Sequence, residues 1–412
     1  MTSNSNPKQS RLTSAEWKLV LILAAINVTH ILDFVIVMPL GDRLREELLI
    51  TPQQFGFIVS AYGVAAMVSG IIASTLVDRF DRKWTMLFSL TGFIGATFYC
   101  GFAPNYFHLL AGRIFAGGFG GIVASTVMAF VVDLIPNERR GKAIGVVSSS
   151  FAFASTVGLP LGLLIADGYD DFHVAFQAIG WLGVLVLLVS AFSLPSVAGH
   201  SDATQGNPFR QFLYVAKNSN HLWSFAFTIT MVWGTFMIVP FIAPYLIANC
   251  ELPRAHLPIL YLVGGLCTLV TVNFVGWLTD RVGPLIMFLF TAGGSIVFAV
   301  LITNLPPVNS FVSIGVSVGF MMVASSRIVP GQAMMLKIAD PKARGAFTSL
   351  NSAFMHLATG TAPLLSGLLI GEEYPKGPLT GYPFVGLIAA IFGVVAIGFA
   401  FLLNTRTPTQ NF

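Results

Sequence analysis

Hydrophobic residues in this chain gather into long runs that charge does not interrupt, and polar residues fall in short stretches between them. Six runs come first: Trp17–Pro39, Phe55–Val77, Trp84–Ala103, Phe107–Val132, Ala143–Ala166 and Phe172–Leu194. A polar interruption follows, Pro195 to Asn220. Six more runs then appear: His221–Ala248, Leu257–Thr279, Leu285–Thr303, Val308–Lys337, Ala346–Ile370 and Tyr382–Leu403. Each has about 20 residues or more, the length an α-helix needs to cross roughly 30 Å of hydrocarbon. The expected fold is an all-α integral membrane protein with twelve spanning helices. Prolines inside the runs (Pro160, Pro240, Pro244, Pro330, Pro363) do not demote them, because spanning helices tolerate the freed backbone groups.

The break between the second and third runs is Asp78-Arg79-Phe80-Asp81-Arg82-Lys83, a knot of charge in a turn of about six residues. So short a turn makes its two helices antiparallel neighbours at a membrane surface. The design returns after the eighth run as Gly276-Trp-Leu-Thr-Asp280-Arg281-Val282-Gly283. A repeat at that separation predicts two similar halves. The expected organisation is a tail over 1–16, a six-helix bundle over 17–194, a linker over 195–220, a second bundle over 221–403 and a tail over 404–412. Within the linker Phe209, Phe212, Leu213 and Val215 interleave with Arg210 and Lys217. That pattern reads as a short amphipathic helix on the membrane surface, with a plain tether as the alternative.

Composition agrees with the membrane reading. Charged residues make up 10% of the chain and hydrophobic ones 55%, where a soluble domain carries about 25% charge. The net charge of +4 does not imply nucleic acid, because no basic tract tracks a phosphate backbone. Instead the charge orients the chain. Of the 22 Lys and Arg residues, Arg43, Arg45, Arg254 and Lys376 fall on one side of the predicted spans and Arg113 and Arg327 within runs; the rest fall on the other side. That asymmetry places both termini and the linker in the cytoplasm, as an even number of spans requires. The implied location is a bacterial inner (plasma) membrane. The first run is too long for the apolar core of a cleavable signal peptide.

Catalytic signatures are missing from the sequence. No Gly-Lys-Ser/Thr phosphate loop suggests use of ATP, no cluster has metal-ligand spacing, and no nucleophile motif stands out. The chain reads as a non-enzyme without cofactor or metal. Cys100, Cys250 and Cys267 sit at apolar or span-end positions; scattered thiols are the first reading, and a Cys100–Cys250 disulfide is the alternative.

Ionisable groups inside spans carry the functional expectation, since a charge in hydrocarbon costs several kcal/mol unless paired or wet. Asp33 lies about six residues before the end of the first run, and Arg113 about six residues into the fourth. At 1.5 Å per residue both lie about 9 Å below the same surface, which makes an ion pair across the first half reasonable. Such a pair either moves a proton or is purely structural. Asn27 and His30 in the first run, and Asn351 and His356 in the eleventh, stand near midplane depth where they can face a central cavity. Arg327 has no acidic partner in its own half's runs and is read as snorkelling, binding a carbonyl or attracting an anionic solute. Phe34 and Phe115 share runs with these polar groups, and Trp233 and Phe236 flank the Pro240 and Pro244 interruption of the seventh run; a cavity lined this way would suit an amphipathic or aromatic solute, although lipid contact explains any one of them.

With twelve spans, two halves and a repeated charged turn, the chain resembles the major facilitator superfamily, whose loop signature is G-x-x-x-D-R/K-x-G-R/K-R/K. Asp78, Arg79, Arg82 and Lys83 match, while Ser74 and Asp81 replace the two glycines. The second copy keeps Gly276, Asp280, Arg281 and Gly283. The resemblance implies that Asp78, Arg79, Arg82, Lys83, Asp280 and Arg281 form latches between helices in one transport state. Leu110-Ala-Gly-Arg113-Ile-Phe-Ala-Gly117-Gly118 resembles the family's span-4 motif. Gly158-Leu-Pro160-Leu-Gly162 resembles, with one residue inserted, the G-P-x-x-G motif of span 5 in the proton antiporter branch that exports drugs and metabolites. The implied activity is export of a small organic solute in exchange for protons, by alternating access, in a monomer surrounded by lipid. A proton-independent sugar or metabolite facilitator is one alternative, and a non-transporting receptor or lipid-handling protein another.

Overall fold

The computed structural model of this chain describes residues 12–76, 80–197, 214–215, 217–338, 344–374 and 377–406. The long apolar runs wind as helices because a helix satisfies all its backbone groups within the segment. In chain order these are α1 (Ser14–Ile36), the short α2 (Gly41–Glu47), α3 (Pro52–Leu76), α4 (Arg82–Cys100), α5 (Tyr106–Leu134), α6 (Asn137–Phe153), α7 (Leu159–Tyr169) and α8 (Phe172–Ser193). After the linker come α9 (Ser219–Phe236), α10 (Ile242–Ala248), α11 (Leu257–Val282), α12 (Pro284–Thr303), α13 (Ser310–Ser326), α14 (Ile328–Ile338), α15 (Arg344–Leu369) and α16 (Tyr382–Thr405). A π-helical segment, Ala154–Gly158, joins α6 to α7, and a 3-10 turn, Val239–Phe241, leads into α10. Two residues each of β1 (Gly371–Glu372) and β2 (Leu379–Thr380) pair antiparallel, with Gly371 opposite Thr380.

Joined across these breaks, the helices cover the twelve predicted runs in order. Among the described residues, ten segments are long and apolar enough to cross a membrane. The other two are α4 and α15. Arg82 and Lys83 take up the first turn of the 19-residue α4. Helix α15 carries Asn351, Ser352, His356, Thr359 and Thr361, which lower its hydropathy. Polar turn residues cap the helix starts: the side chains of Asp81, Asn105, Asp171, Asn218 and Asn309 accept from first-turn amides of α4, α5, α8, α9 and α13. Each cap satisfies donors that a helix amino end leaves open.

The chain divides into two compact units. The first is Met1–Ile36 with Ala65–Asp202, and the second is Val37–Val64 with Ala203–Phe412. In the first, α4 packs on α5 and α8, and α1 on α5, α6 and α8. In the second, α12 packs on α13 and α16, α9 on α15 and α16, and α11 on α13. Phe225, Phe227, Met231, Phe288, Met334 and Phe347 belong to a buried core there. The stretch 37–64 groups with the second unit, although the sequence assigns it to the first half, as the end of the first run, the loop that follows and the first part of the second run.

Three expectations meet the structure differently. Helix α1 ends at Ile36 rather than Pro39, so Asp33 stands three residues from its end. Cys100, Cys250 and Cys267 are all free thiols, which removes the disulfide alternative. The predicted amphipathic linker segment around Phe209 to Val215 falls mostly outside the described residues.

Candidate functional site

The site begins with the Asp33 side chain near the carboxyl end of α1. Arg113, in the second turn of α5, places Nη1 2.7 Å from Asp33 Oδ2 and 3.0 Å from the Asp33 backbone oxygen. Both side chains are wholly buried in the first unit. From α4, the Thr97 hydroxyl donates to Asp33 Oδ1 at 3.1 Å. Small residues bring the three helices this close. A Cβ on Gly112 would stand 2.6 Å from Cys100 Sγ, so only glycine beside Arg113 lets α5 meet α4 here. Buried charges of this kind are retained only when paired and hydrogen-bonded, and removing one partner costs about 3–5 kcal/mol. The arrangement therefore holds one carboxylate whose charge can be cancelled by one proton.

The span-5 motif packs directly beside it. The π-helical segment ends at Gly158, and Pro160, which has no amide hydrogen, sits in the first turn of α7. A Cβ on Gly158 would meet Leu32 Cδ1 at 3.0 Å, and one on Gly162 would meet Ile36 Cδ1 at 2.8 Å. Leu32 and Ile36 flank Asp33 on α1. The two glycines thus set how closely α7 rests on the turn that carries the carboxylate.

Other predicted residues separate into several places. Asn27 Nδ2 donates to Val147 O at 3.1 Å and ties α1 to α6, with Ser150 Oγ donating to Ala24 O nearby. His30 and Phe34 are half-buried on α1, whereas Phe115 is exposed. In the second unit Asn351 Oδ1 accepts from Thr228 Oγ1 at 2.6 Å, and Trp233 Nε1 donates to Thr361 Oγ1 at 3.0 Å. His356 and Phe236 are half-buried. Arg327, between α13 and α14, is 1% exposed; its Nη2 donates to Met231 O at 2.6 Å and to the Thr235 hydroxyl. Of its three sequence readings, carbonyl binding is the one seen.

Loop charges of the first repeat are only partly described, since Asp78 and Arg79 lie outside the described residues. Arg82 is buried, and its Nε donates to Asp133 Oδ2 at 2.9 Å at the far end of α5. Lys83 is half-buried, and its amide donates to Asp81 Oδ1 at 2.9 Å. Asp81, where the family pattern has glycine, has φ −60° and ψ 128° and caps α4. Burial pushes its carboxyl up, but the Ser196 hydroxyl and the amides of Trp84 and Lys83 outweigh this and hold it below its ordinary value. Asp280 and Arg281 are exposed, with Arg281 4.0 Å above the Trp277 ring. Thr97 and Asp133 were not singled out from the sequence; a threonine in an apolar run and an acid at a span end have no signal before the helices are placed.

Comparison with known proteins now bears on this geometry. The family model described as Major Facilitator Superfamily matches residues 23–330. The chain belongs to that superfamily. It is similar to the uncharacterized MFS-type transporter YceJ of Bacillus subtilis (strain 168), 25% identical over 366 residues, covering 87% of this chain and 91% of that protein. Among solved structures, a bacterial homolog of the human lysosomal transporter Spinster, inward-facing and unoccupied, superposes with a TM-score of 0.79 at 14% identity over 96% of this chain and 98% of the other. A D-xylose-proton symporter gives 0.76 at 13% identity over 96% of this chain and 100% of the other. At such identities the structures establish the fold alone: an all-α, twelve-span facilitator fold of two six-helix bundles in a multi-pass membrane protein. Members of this superfamily are transporters, not enzymes.

Proposed function

We propose that this superfamily member exports a small organic solute in exchange for protons, by alternating access, and that Asp33 with Arg113 is the coupling pair. The observation that carries the reading is the wholly buried ion pair of α1 and α5, steadied by Thr97. Ionised, Asp33 holds the Arg113 guanidinium; protonated, it cancels its own charge and loosens that hold. An intramembrane carboxylate paired this way marks a proton or ion pathway by default. Asn351, Trp233 and His356 on the second unit, with Asn27, His30, Phe34, Phe115 and Phe236, are proposed to face the solute. The latch role of Arg82, Lys83, Asp280 and Arg281, with Asp78 and Arg79, rests on the motif, and so does the antiporter role of Gly158, Pro160 and Gly162. The division at 17–194 and 221–403 about a linker at 195–220, cytoplasmic termini, an inner-membrane location and a monomeric state belong to the same reading.

The test is flux in proteoliposomes under an imposed pH gradient, with a panel of drug-like and sugar-like solutes. Flux that follows the gradient and opposes the proton direction supports exchange. Flux indifferent to the gradient supports a facilitator, and a neighbour described as a D-xylose-proton symporter keeps sugars on the panel. Binding without flux would favour the receptor.

A further inference from the structure

Arg327 carries a buried charge that no carboxylate answers. It lies deep in the run made by α13 and α14, between Ser310 at one end and Ile338 at the other. At 1.5 Å per residue these ends are roughly 25 Å and 16 Å away, farther than an arginine side chain can snorkel. The residue is 1% exposed, and a guanidinium does not give up its proton in a protein. Both of its hydrogen bonds leave from Nη2, to the Met231 oxygen at 2.6 Å and to the Thr235 hydroxyl, while Nε is buried with no partner. Among the described residues of the second unit the acids are Asp42, Glu46, Glu47, Glu251, Glu372 and Glu373, in α2 and the connections, and Asp280 in the last turn of α11. None stands in the middle of a run.

We propose that Arg327 binds one small monovalent anion, which supplies the negative charge that the second unit does not provide from its own side chains. The first unit shows what such a guanidinium requires. Arg113 bonds to a carbonyl of α1 as Arg327 bonds to a carbonyl of α9, but Arg113 also meets Asp33 Oδ2 at 2.7 Å. In the second unit the Thr235 hydroxyl stands in that role. A hydroxyl accepts the hydrogen bond and leaves the charge uncancelled, and a buried cation without a counter-charge is strongly unfavourable. The ligand must carry a single negative charge, because a dianion would leave a buried charge of the other sign. It must also be small. A Cβ on Gly234 would stand 3.2 Å from Ala389 O and 3.4 Å from Arg327 Nη2, so α9 and α16 approach closely beside the guanidinium. A halide or the carboxylate of a solute meets both conditions. The site rests neither on proton exchange nor on the direction of transport.

The experiment follows thermal melting of the full chain in detergent at constant ionic strength. Bulky isethionate is replaced stepwise by chloride in one arm and by acetate in the other. No pH gradient is applied, so a failed coupling test leaves the result intact. The melting temperature should rise by about 2 °C or more, and saturate, in at least one arm. A rise with chloride alone assigns the site to a free halide, a rise with acetate alone to the carboxylate of a solute, and a rise with both to a site that takes either. Arg327→Met should melt at a temperature that no anion changes. Thr235→Asp is the sharper variant, because it keeps the cation and sets a carboxylate beside Nη2, as Asp33 does for Arg113. It should abolish the anion dependence by filling the site from within. Equilibrium binding of radiolabelled chloride and acetate to the unaltered protein carries no folding risk, and one of them should approach one anion per chain. An unaltered protein indifferent to both anions would overturn the site. So would binding far below one per chain for both, or a folded Arg327→Met or Thr235→Asp that keeps the full rise.

Discussion

Arg113 grips Asp33 twice with one nitrogen, 2.7 Å from Oδ2 and 3.0 Å from the backbone oxygen. Helix α1 ends three residues later at Ile36, so the guanidinium lies at the carboxyl end of that helix. A cation at a helix carboxyl end is favoured by the macrodipole. Arg327 repeats the arrangement in the second unit, donating to Met231 O within the last turns of α9. Both intramembrane arginines hold a helix end. Among the described residues, Arg113 has a carboxylate as well and Arg327 does not, so of the two sites it is the first where one proton on a carboxylate changes the local charge.

Asp33→Asn removes that charge and keeps the shape. Arg113 retains the backbone oxygen and gains an amide oxygen, so the variant should fold and still bind and exchange solute. Uphill transport driven by a pH gradient should vanish. Gradient-driven uptake at the parent rate by a well-folded Asp33→Asn protein would end the coupling assignment.

The two arginines should then respond unequally to removal. Arg113→Ala leaves a buried carboxylate alone and should cost about 3–5 kcal/mol, read as poor expression or a much lower melting temperature. Adding Asp33→Asn to Arg113→Gln should recover folding without recovering coupling. Arg327→Met strands no carboxylate and replaces a costly buried cation with a side chain of similar length. Its melting temperature should fall far less than that of Arg113→Ala, or rise. Equal losses at both sites would contradict this account.

What was legible in the sequence follows from which forces act along the chain. Spans were readable because the bilayer imposes length and apolarity on each segment separately. The contact of Asp33 with Arg113 was readable because equal depth in two runs is arithmetic along single helices; that the contact couples transport stays a proposal. Arg254 with Asp42 and Glu46, and Arg45 with Glu372, were not readable. Their partners lie 208 to 327 residues apart in sequence, and nothing local marks which acid each arginine meets.

Asp81 stands where the family pattern has glycine, and its value here is as a cap. Asp81→Ala should destabilise the start of α4 by about 0.5–2 kcal/mol. The carboxyl is held below its ordinary value, so the folded protein takes up this proton less readily than the unfolded chain. Its contribution is therefore present above about pH 4, the ordinary carboxylate range, and is lost as pH falls through the lowered value. Parent and Asp81→Asn melting curves should differ at neutral pH and converge in acid. A gap that widens in acid would refute the capping role.

Loop charge makes a topological prediction that is independent of the site. Reporter tags inserted at Gln205 and Pro375 should map to opposite faces of the membrane, with position 205 cytoplasmic. Finding both tags on one face would overturn the orientation.

The span-5 glycines offer the sharpest link between packing and coupling. Gly162 faces Ile36 and Gly158 faces Leu32, each at a distance a methyl group could gain only by nudging the far end of a flexible side chain. Gly162→Ala should therefore be tolerated, with transport and melting close to the parent. Gly162→Leu cannot be accommodated that way and must push α7 from the turn of α1 that carries Asp33; overpacking of this kind costs about 1–3 kcal/mol. If the motif serves coupling through α1, the Leu variant that still folds should lose gradient-driven transport while keeping solute exchange, the same phenotype as Asp33→Asn. A variant at Gly168, where nothing lies within 4 Å of an added Cβ, controls for bulk alone and should leave both untouched. Loss of exchange together with coupling in Gly162→Leu would mean that the motif shapes the solute path instead of the proton site.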